Sequence, residues 1–239
     1  MIRTLTQLGR CRWQTHGALA LLTLGGLDAL HSLVLPHADL GYLLTIGCGY
    51  LSLVYLAVTL LIGPFRLLGR RRNPVHLDLR RDVGIWAGLT GLVHVIFGLQ
   101  VHPNSGVIGY FARWTGDGYA LLTNRFGIAN WTGLIATLAL LVLLLTSNDW
   151  SLRRLKGRRW KTLQRLNYVL TGLALLHTVL YQQRSGREPF FVTTTLLLTV
   201  AVLAAQYVGI QLYRAGANRR RRPEPTRDQP RPDPNPRSS

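Results

Sequence analysis

Apolar residues occur along this chain in six long blocks that are separated by short polar or basic connections. Each block is close to, or longer than, the roughly 20 residues that an α-helix needs to cross a bilayer. The pattern therefore predicts six membrane-spanning helices, at residues 14–35, 41–62, 83–101, 128–146, 165–182 and 190–213. Because these blocks occupy most of the chain, we expect an all-α, polytopic membrane protein whose transmembrane domain covers residues 1–213.

Basic residues are unevenly distributed among the connections, although the chain as a whole carries a net charge of +18. Clusters of Arg and Lys precede the first block and follow the second, fourth and sixth, whereas residues 36–40 have none and residues 102–127 have only Arg113 and Arg125. This alternation follows the positive-inside rule and predicts a bundle in the cell membrane (inner or plasma membrane) with both termini in the cytoplasm. Since the charge reports topology and no recognition motif accompanies it, we predict no nucleic-acid partner.

Residues 214–239 are dominated by Arg and Pro and show no apolar periodicity. This composition predicts a disordered, partly polyproline-like cytoplasmic tail. We interpret the tail as a solvated anchor of the topology, and attraction to anionic lipid is a second interpretation.

The outer connection, residues 102–127, is long and rich in Gly and aromatic residues. Its central part, 107–122, is partly amphipathic and is expected to lie in the membrane interface. The chain has no phosphate-binding loop, dinucleotide glycine fingerprint or strand pattern, so we expect no NAD(P)H or FAD domain within it. Cys11 and Cys48 are expected at the cytoplasmic rim and inside a helix, which suits neither a disulfide nor a metal site.

Two histidines lie inside predicted spans, where an ionisable side chain is costly and therefore suggests a functional site. His94 follows Asp82, the last charge before the third span, by 12 residues, and His177 follows Arg165 before the fifth span by the same number. At 1.5 Å per residue, both histidines are expected roughly 18 Å from the inner edge. Two imidazoles at matching depth on different helices can hold a metal between them.

The metal centre that suits two imidazoles best is a haem. Zinc needs three or four ligands, whereas haem iron needs only two axial ligands because the porphyrin supplies four nitrogens. Small residues beside each histidine would let a flat macrocycle approach the backbone: Gly91 and Gly98 neighbour His94, and Ala174 neighbours His177. A single histidine would be explained by an interhelical hydrogen bond, and these glycines by close helix packing, but the matched pair favours haem.

The other histidines are weaker candidates. His16 and His37 lie near the ends of predicted spans, where a solvated histidine is expected. Asp28 and His31 are three residues apart on one face of the first span. A hydrogen-bonded pair, a proton path, a haem-propionate contact and a simple polar pair near the interface are all open for them.

Four stretches of the chain together resemble a known family. They are GPFRLLGRRRNPVHLDLRRDVG, LVHVIFGL, NRFGIANWTGLIATLALLVLLLTS and SLRRLKGRRWKTLQRLNYVLTGLALLHTVLY. Over roughly residues 41–185 they resemble the ferric-reductase-like transmembrane superfamily, and within it most of all the haem-binding membrane subunits of periplasmic methionine-sulfoxide reductase systems. The end of the fourth span at Thr146 and Ser147, and the stretch from Trp160 to His177, are the most specific part.

The resemblance implies a b-type haem between the third and fifth spans, with His94 and His177 at ligand positions. It also implies electron flow from a cytoplasmic donor or a quinone to an acceptor outside. Relatives with two haems carry further histidines on the cytoplasmic side, where this chain has Arg80, Arg81 and Gln164. One haem is therefore expected, with a gap on the cytoplasmic side that a quinone, a flavin or a partner protein would fill.

The sequence thus predicts an electron-transfer subunit, an oxidoreductase component with no catalytic residue of its own. Its expected partners are membrane lipid, a redox donor and an outer acceptor protein. A haem-free transporter or proton pathway would need a continuous polar route through Asp28, His31, His94 and His177, and the spans offer few polar residues. A structural or assembly protein that kept the scaffold would tolerate apolar residues at His94 and His177.

Overall fold

The computed structural model describes residues 12–68, 77–101, 106–185 and 188–221. Helices within these ranges are α1 (Arg12–Leu33), α2 (Leu40–Leu68), α3 (Leu77–Gly98), α4 (Arg125–Leu145), α5 (Asp149–Gln164), α6 (Leu166–Ser185) and α7 (Pro189–Arg221). Between α3 and α4 lie a 3₁₀ turn (Ile108–Tyr110) and two strands, β1 (Ala112–Trp114) and β2 (Tyr119–Leu121).

Six of these helices, α1 to α4, α6 and α7, coincide with the six apolar blocks. By length and composition, Leu40–Phe65, Arg125–Leu145 and Pro189–Ala215 are each long and apolar enough to cross a membrane. The chain is therefore a multi-pass helical membrane protein. The last helix continues past the predicted end of its span to Arg221, and the rest of the predicted tail, residues 222–239, lies outside the described residues. So do Cys11, His76 and His102.

The outer connection contains a small β-hairpin, which corrects the prediction of a chain without strands. β1 and β2 pair antiparallel, with Trp114 opposite Tyr119, and their aromatic rings pack at 5.2 Å. Gly116 in the turn has a φ of +103°, a conformation that glycine adopts without steric cost. Trp114 and Tyr119, two aromatic residues of the segment predicted to be amphipathic, therefore lie on β-strands.

Helix α5 was also not predicted from the apolar pattern, because it occupies the basic connection before the fifth block. The Asn148 side chain caps it by accepting a hydrogen bond from the backbone N–H of Ser151 at 2.7 Å. Farther along, Trp160 Nε1 donates to the Thr146 carbonyl at 3.1 Å and fixes α5 against the end of α4. The remaining surface is basic and exposed: Arg153, Arg154, Lys156, Arg158, Arg159 and Lys161.

An ion pair joins the start of α5 to the start of α3. The guanidinium of Arg81 donates to the carboxylate of Asp149 and also lies 3.5 Å from Asp78. The hydrogen bond and charge of Arg81 lower the pKa of Asp149 from its ordinary value. The pair therefore forms over the whole range above that pKa and is lost only in acid.

Helices α2 and α4 end, and α3 and α6 begin, at the same end of the bundle. We call it the basic end, because the connections there carry clusters of Arg and Lys. Helix α2 packs between α3 and α7, while α4 packs against α6. Toward the basic end these helices fill the interior with apolar side chains, which include Tyr55, Leu56, Val83, Ala87, Leu140, Leu143 and Leu170. An apolar core therefore lies toward that end among the described residues.

A buried polar cluster ties α1 to α3 near the basic end. Asp82 is fully buried, and Arg12 Nη2 donates to its Oδ1 at 3.0 Å. His16 Nε2 lies 3.5 Å from the same oxygen, while Trp86 Nε1 donates to His16 Nδ1 at 3.1 Å. The expectation that His16 is simply a solvated histidine is therefore wrong, because its ring bridges Trp86 and the buried carboxylate.

Candidate functional site

The imidazoles of His94 and His177 lie next to each other inside the bundle. Their ring centroids are 6.0 Å apart and their planes are nearly perpendicular, at 86°. One ring comes from α3 and the other from α6, and these helices begin at the same end of the bundle. Each histidine follows the last charge before its apolar stretch, Asp82 or Arg165, by 12 residues, and the two rings lie side by side as this matching spacing predicts.

Each imidazole is held by a backbone carbonyl of a neighbouring helix. His94 Nδ1 donates to the Thr45 carbonyl of α2 at 2.6 Å, and His177 Nδ1 donates to the Ala129 carbonyl of α4 at 2.8 Å. Because a carbonyl only accepts, each Nδ1 carries the proton, and Nε2 is the ring nitrogen that would coordinate a metal. This is the tautomer in which a metal-ligating histidine is usually held.

Two glycines let the rings come this close to the neighbouring helices. A Cβ atom added at Gly49 of α2 would lie 2.7 Å from His94 Nδ1, and one added at Gly133 of α4 would lie 2.7 Å from His177 Nδ1. Neither glycine is indicated by the pattern of the sequence. In each case the glycine comes four residues after the residue whose carbonyl accepts the histidine, so the same face of the helix provides both the space and the acceptor.

Both histidines line a cavity of about 510 Å³, within the range of sites that bind cofactors and other small molecules. Three residues singled out from the sequence, Gly91, Gly98 and Ala174, lie on its wall. A Cβ at Gly91 would meet the Ser52 hydroxyl at 3.0 Å, so this glycine also serves close packing between α2 and α3. The cavity is bounded mostly by apolar side chains, as a macrocycle requires.

A chain of hydrogen bonds lies beside His177 on the side away from the basic end. The Tyr181 ring packs 4.9 Å from the His177 ring, and its hydroxyl donates to the Asn130 side-chain oxygen. The Asn130 amide donates to the Tyr110 carbonyl at 2.9 Å, and the Tyr110 hydroxyl donates to the Gly98 carbonyl at 2.8 Å. Tyr181 therefore lines the cavity and fixes its neighbours.

A second polar contact closes the cavity toward α7. The side-chain amide of Gln182 donates to the Tyr50 hydroxyl and to the Thr195 hydroxyl, both at 2.8 Å. The Tyr50 ring packs against Phe191 at 4.6 Å. These contacts join α2, α6 and α7, so the cavity wall is a fixed part of the bundle.

Asp28 and His31 do not contribute to this cavity. Asp28 is exposed on α1, and no hydrogen bond or ion pair joins it to His31, whose Nδ1 is buried without a hydrogen-bond partner. Neither residue lines the cavity. The suggestions of a hydrogen-bonded pair and of a haem-propionate contact therefore find no support.

Comparison with known proteins assigns this chain to a family. The family model for the ferric reductase-like transmembrane component matches residues 48–176, more than half of the chain. This chain belongs to that family. The matched region extends from Cys48, the residue preceding Gly49 in α2, to the residue preceding His177 in α6.

Individual relatives within the ferric reductase-like family are also similar over most of their length. The protein-methionine-sulfoxide reductase heme-binding subunit MsrQ of Agrobacterium fabrum is 33% identical over 188 residues, covering 79% of this chain and 78% of the relative. The subunit of the same name from Salmonella dublin is 29% identical over 163 residues, covering 66% of this chain and 72% of the relative.

The basic end of the bundle is closely packed. In this region a Cβ at Gly88 would lie 2.9 Å from Leu144, so α3 and α4 are in close contact there. The side chain of Arg81 is only 9% exposed and engages Asp78 and Asp149. Gln164 contributes an amide nitrogen that is buried without a hydrogen-bond partner. Packed side chains thus occupy this part of the bundle.

Proposed function

We propose that this chain is a membrane electron-transfer subunit that holds one b-type haem between His94 and His177. The observation that carries the proposal is the pair of imidazoles, each anchored through Nδ1 to a carbonyl, at a centroid separation of 6.0 Å. The relatives named as heme-binding subunits support the same cofactor. A haem so held is a one-electron carrier.

The separation of the two rings fits a shared iron. Two metal–nitrogen bonds of about 2.0 Å, with about 1 Å from each nitrogen to its ring centre, separate the centroids by about 6 Å. Two imidazoles fall short of the three or four ligands that zinc prefers, but they complete the axial set of a haem. The protein's own share is to supply these ligands, exclude water with the apolar cavity wall and fix both ring orientations.

A count of one haem is supported by the packing of the basic end. A second macrocycle would need imidazole ligands and a second cavity between the helices. At the corresponding level the chain has Arg80, Arg81 and Gln164, and apolar side chains of α2, α3, α4 and α6 pack together toward that end. We therefore propose a single haem, displaced from the basic end.

The topology we propose has six spans in the cell membrane, with the basic end on the cytoplasmic side. Electrons would enter from a cytoplasmic donor or a quinone, with a flavin as a further possible carrier, and leave toward an acceptor protein outside. The names of the relatives, which describe subunits of a reductase, support a protein partner.

A haem-free transporter is less well supported. Such a protein needs polar groups along a continuous route across the membrane. Between the cavity and the basic end, however, the described side chains form an apolar core. Asp28 and His31, which would belong to the route, do not line the cavity. A purely structural protein makes no use of two imidazoles held in the same tautomer.

A reduced-minus-oxidised absorption spectrum of the purified protein in mild detergent, combined with a haem assay per chain, tests the proposal. We expect a b-type spectrum and one haem per chain, because one pair of imidazoles lines the cavity among the described residues. Two haems per chain would contradict the count. Protein without haem, from cells well supplied with it, would contradict the proposed function and favour a transporter or a scaffold.

A further inference from the structure

We propose that Gly49 and Gly133 are positioning residues that set the orientation and the electron donation of the two imidazoles. Each acts together with the carbonyl four residues before it, on Thr45 and Ala129 respectively. The inference rests on the haem ligation proposed above and assigns a role to residues outside the ligand pair.

The geometry leaves no room for a side chain at either position. A Cβ at Gly49 or Gly133 would lie 2.7 Å from the Nδ1 of the facing histidine. To reach an ordinary contact of about 3.5 Å, the ring would have to move by roughly 0.8 Å. The Nδ1 hydrogen bonds, at 2.6 and 2.8 Å, would then exceed the usual limit for an N–H···O bond.

The same arrangement occurs twice, on different pairs of helices. In one copy α2 provides the glycine and the carbonyl for His94 of α3, and in the other α4 provides them for His177 of α6. Close helix packing alone would need the glycines but would not place a carbonyl opposite each Nδ1. The repetition therefore points to the imidazoles as the feature that both glycines serve.

The hydrogen bonds have an electronic consequence as well as a steric one. A carbonyl that accepts from Nδ1–H makes the imidazole more basic and a better donor to a metal through Nε2. Stronger donation stabilises the oxidised state of the iron relative to the reduced state. Loss of either hydrogen bond is therefore expected to make the midpoint potential more positive.

The test compares Gly49→Ala and Gly133→Ala with two matched controls, Gly63→Ala and Gly172→Ala. A Cβ at Gly63 of α2 or at Gly172 of α6 meets nothing within 4 Å. We expect the first two variants to lose roughly 10–100-fold in haem affinity, and the haem that stays bound to have a more positive midpoint potential. The controls should match the wild type in both measurements.

A second comparison separates ring positioning from a defect in folding. In a His94→Gly background, free imidazole added to the protein can ligate from the same space, and it can shift because no backbone tethers it. We therefore expect imidazole to restore haem binding equally in His94→Gly and in His94→Gly combined with Gly49→Ala. If Gly49→Ala lowers haem binding equally in the tethered and untethered backgrounds, Gly49 acts in helix packing and the proposal is overturned.

The outcomes also separate this inference from the function on which it rests. A wild type that holds haem while Gly49→Ala and Gly133→Ala behave like their controls would overturn only the role of the glycines. A wild type without haem would overturn both. A fall in haem content with an unchanged potential would overturn the electronic part, because a shifted ring must lose its carbonyl hydrogen bond.

Discussion

Replacing either His94 or His177 with Ala is expected to remove nearly all haem from the purified protein. Each variant leaves one imidazole, and a haem with a single protein ligand in this cavity loses both a coordinate bond and its fixed orientation. We expect the two variants to lose similar amounts of haem, because each imidazole is held in the same way, by a backbone carbonyl of α2 or of α4. Haem content per chain and the reduced-minus-oxidised spectrum measure the effect.

His37→Ala is the matched control for the ligand variants. His37 is exposed in the connection between α1 and α2, and it does not line the cavity. We expect this variant to hold as much haem as the wild type. Full haem content in His94→Ala or His177→Ala would contradict the assignment of that residue as an axial ligand.

Replacing Arg12 with Gln is expected to destabilise the protein strongly, through Asp82. The Asp82 side chain is 0% exposed, and Arg12, at 43% exposure, is its closest cation. Removing one member of a buried ion pair typically costs about 3–5 kcal/mol, because the other charge stays buried and uncompensated. We expect a value near the lower end, about 3 kcal/mol, since Arg12 is partly solvated and His16 also faces the carboxylate.

The comparison that isolates this effect uses Asp82→Asn, the double variant and an exposed control. Asp82→Asn removes the buried charge and should cost less than Arg12→Gln, and adding Arg12→Gln to it should cost little more. Arg153→Gln, which removes an exposed charge from α5, should be nearly neutral. Melting in detergent measures all four, and equal melting of Arg12→Gln and Arg153→Gln would refute the buried pair as a stabilising contact.

The proximity of the two histidines was predictable from the sequence because it depends on their spacing along the chain from the last charged residue. A helix rises by a fixed distance per residue, so equal spacing from the last charge gives equal depth once both helices start at the same end. The flanking Gly91, Gly98 and Ala174 follow from the helical repeat in the same way. Because residues three or four apart on a helix share a face, all three lie on the cavity wall with the histidines.

The positions of Gly49 and Gly133 could not be predicted because they depend on how the helices are rotated against each other. The chain has 24 glycines, and their spacing along the sequence does not indicate which of them faces an imidazole. The contact between His16 and Asp82 could not be predicted for the same reason, since it depends on how α1 packs on α3. A signal was present for α5 in two parts: Leu152 and Leu155 are three residues apart, as are Trp160 and Leu163, on either side of Lys156, whose φ of +57° interrupts the helix.

Electron paramagnetic resonance of the oxidised, purified protein at low temperature tests most directly whether His94 and His177 together hold the haem. Two axial imidazoles make ferric haem low-spin, and imidazole planes at 86° should give a signal with unusually large anisotropy. The account predicts one such signal, equivalent to one haem per chain. A high-spin signal, a low-spin signal typical of parallel imidazole planes, or two distinct low-spin signals would contradict it.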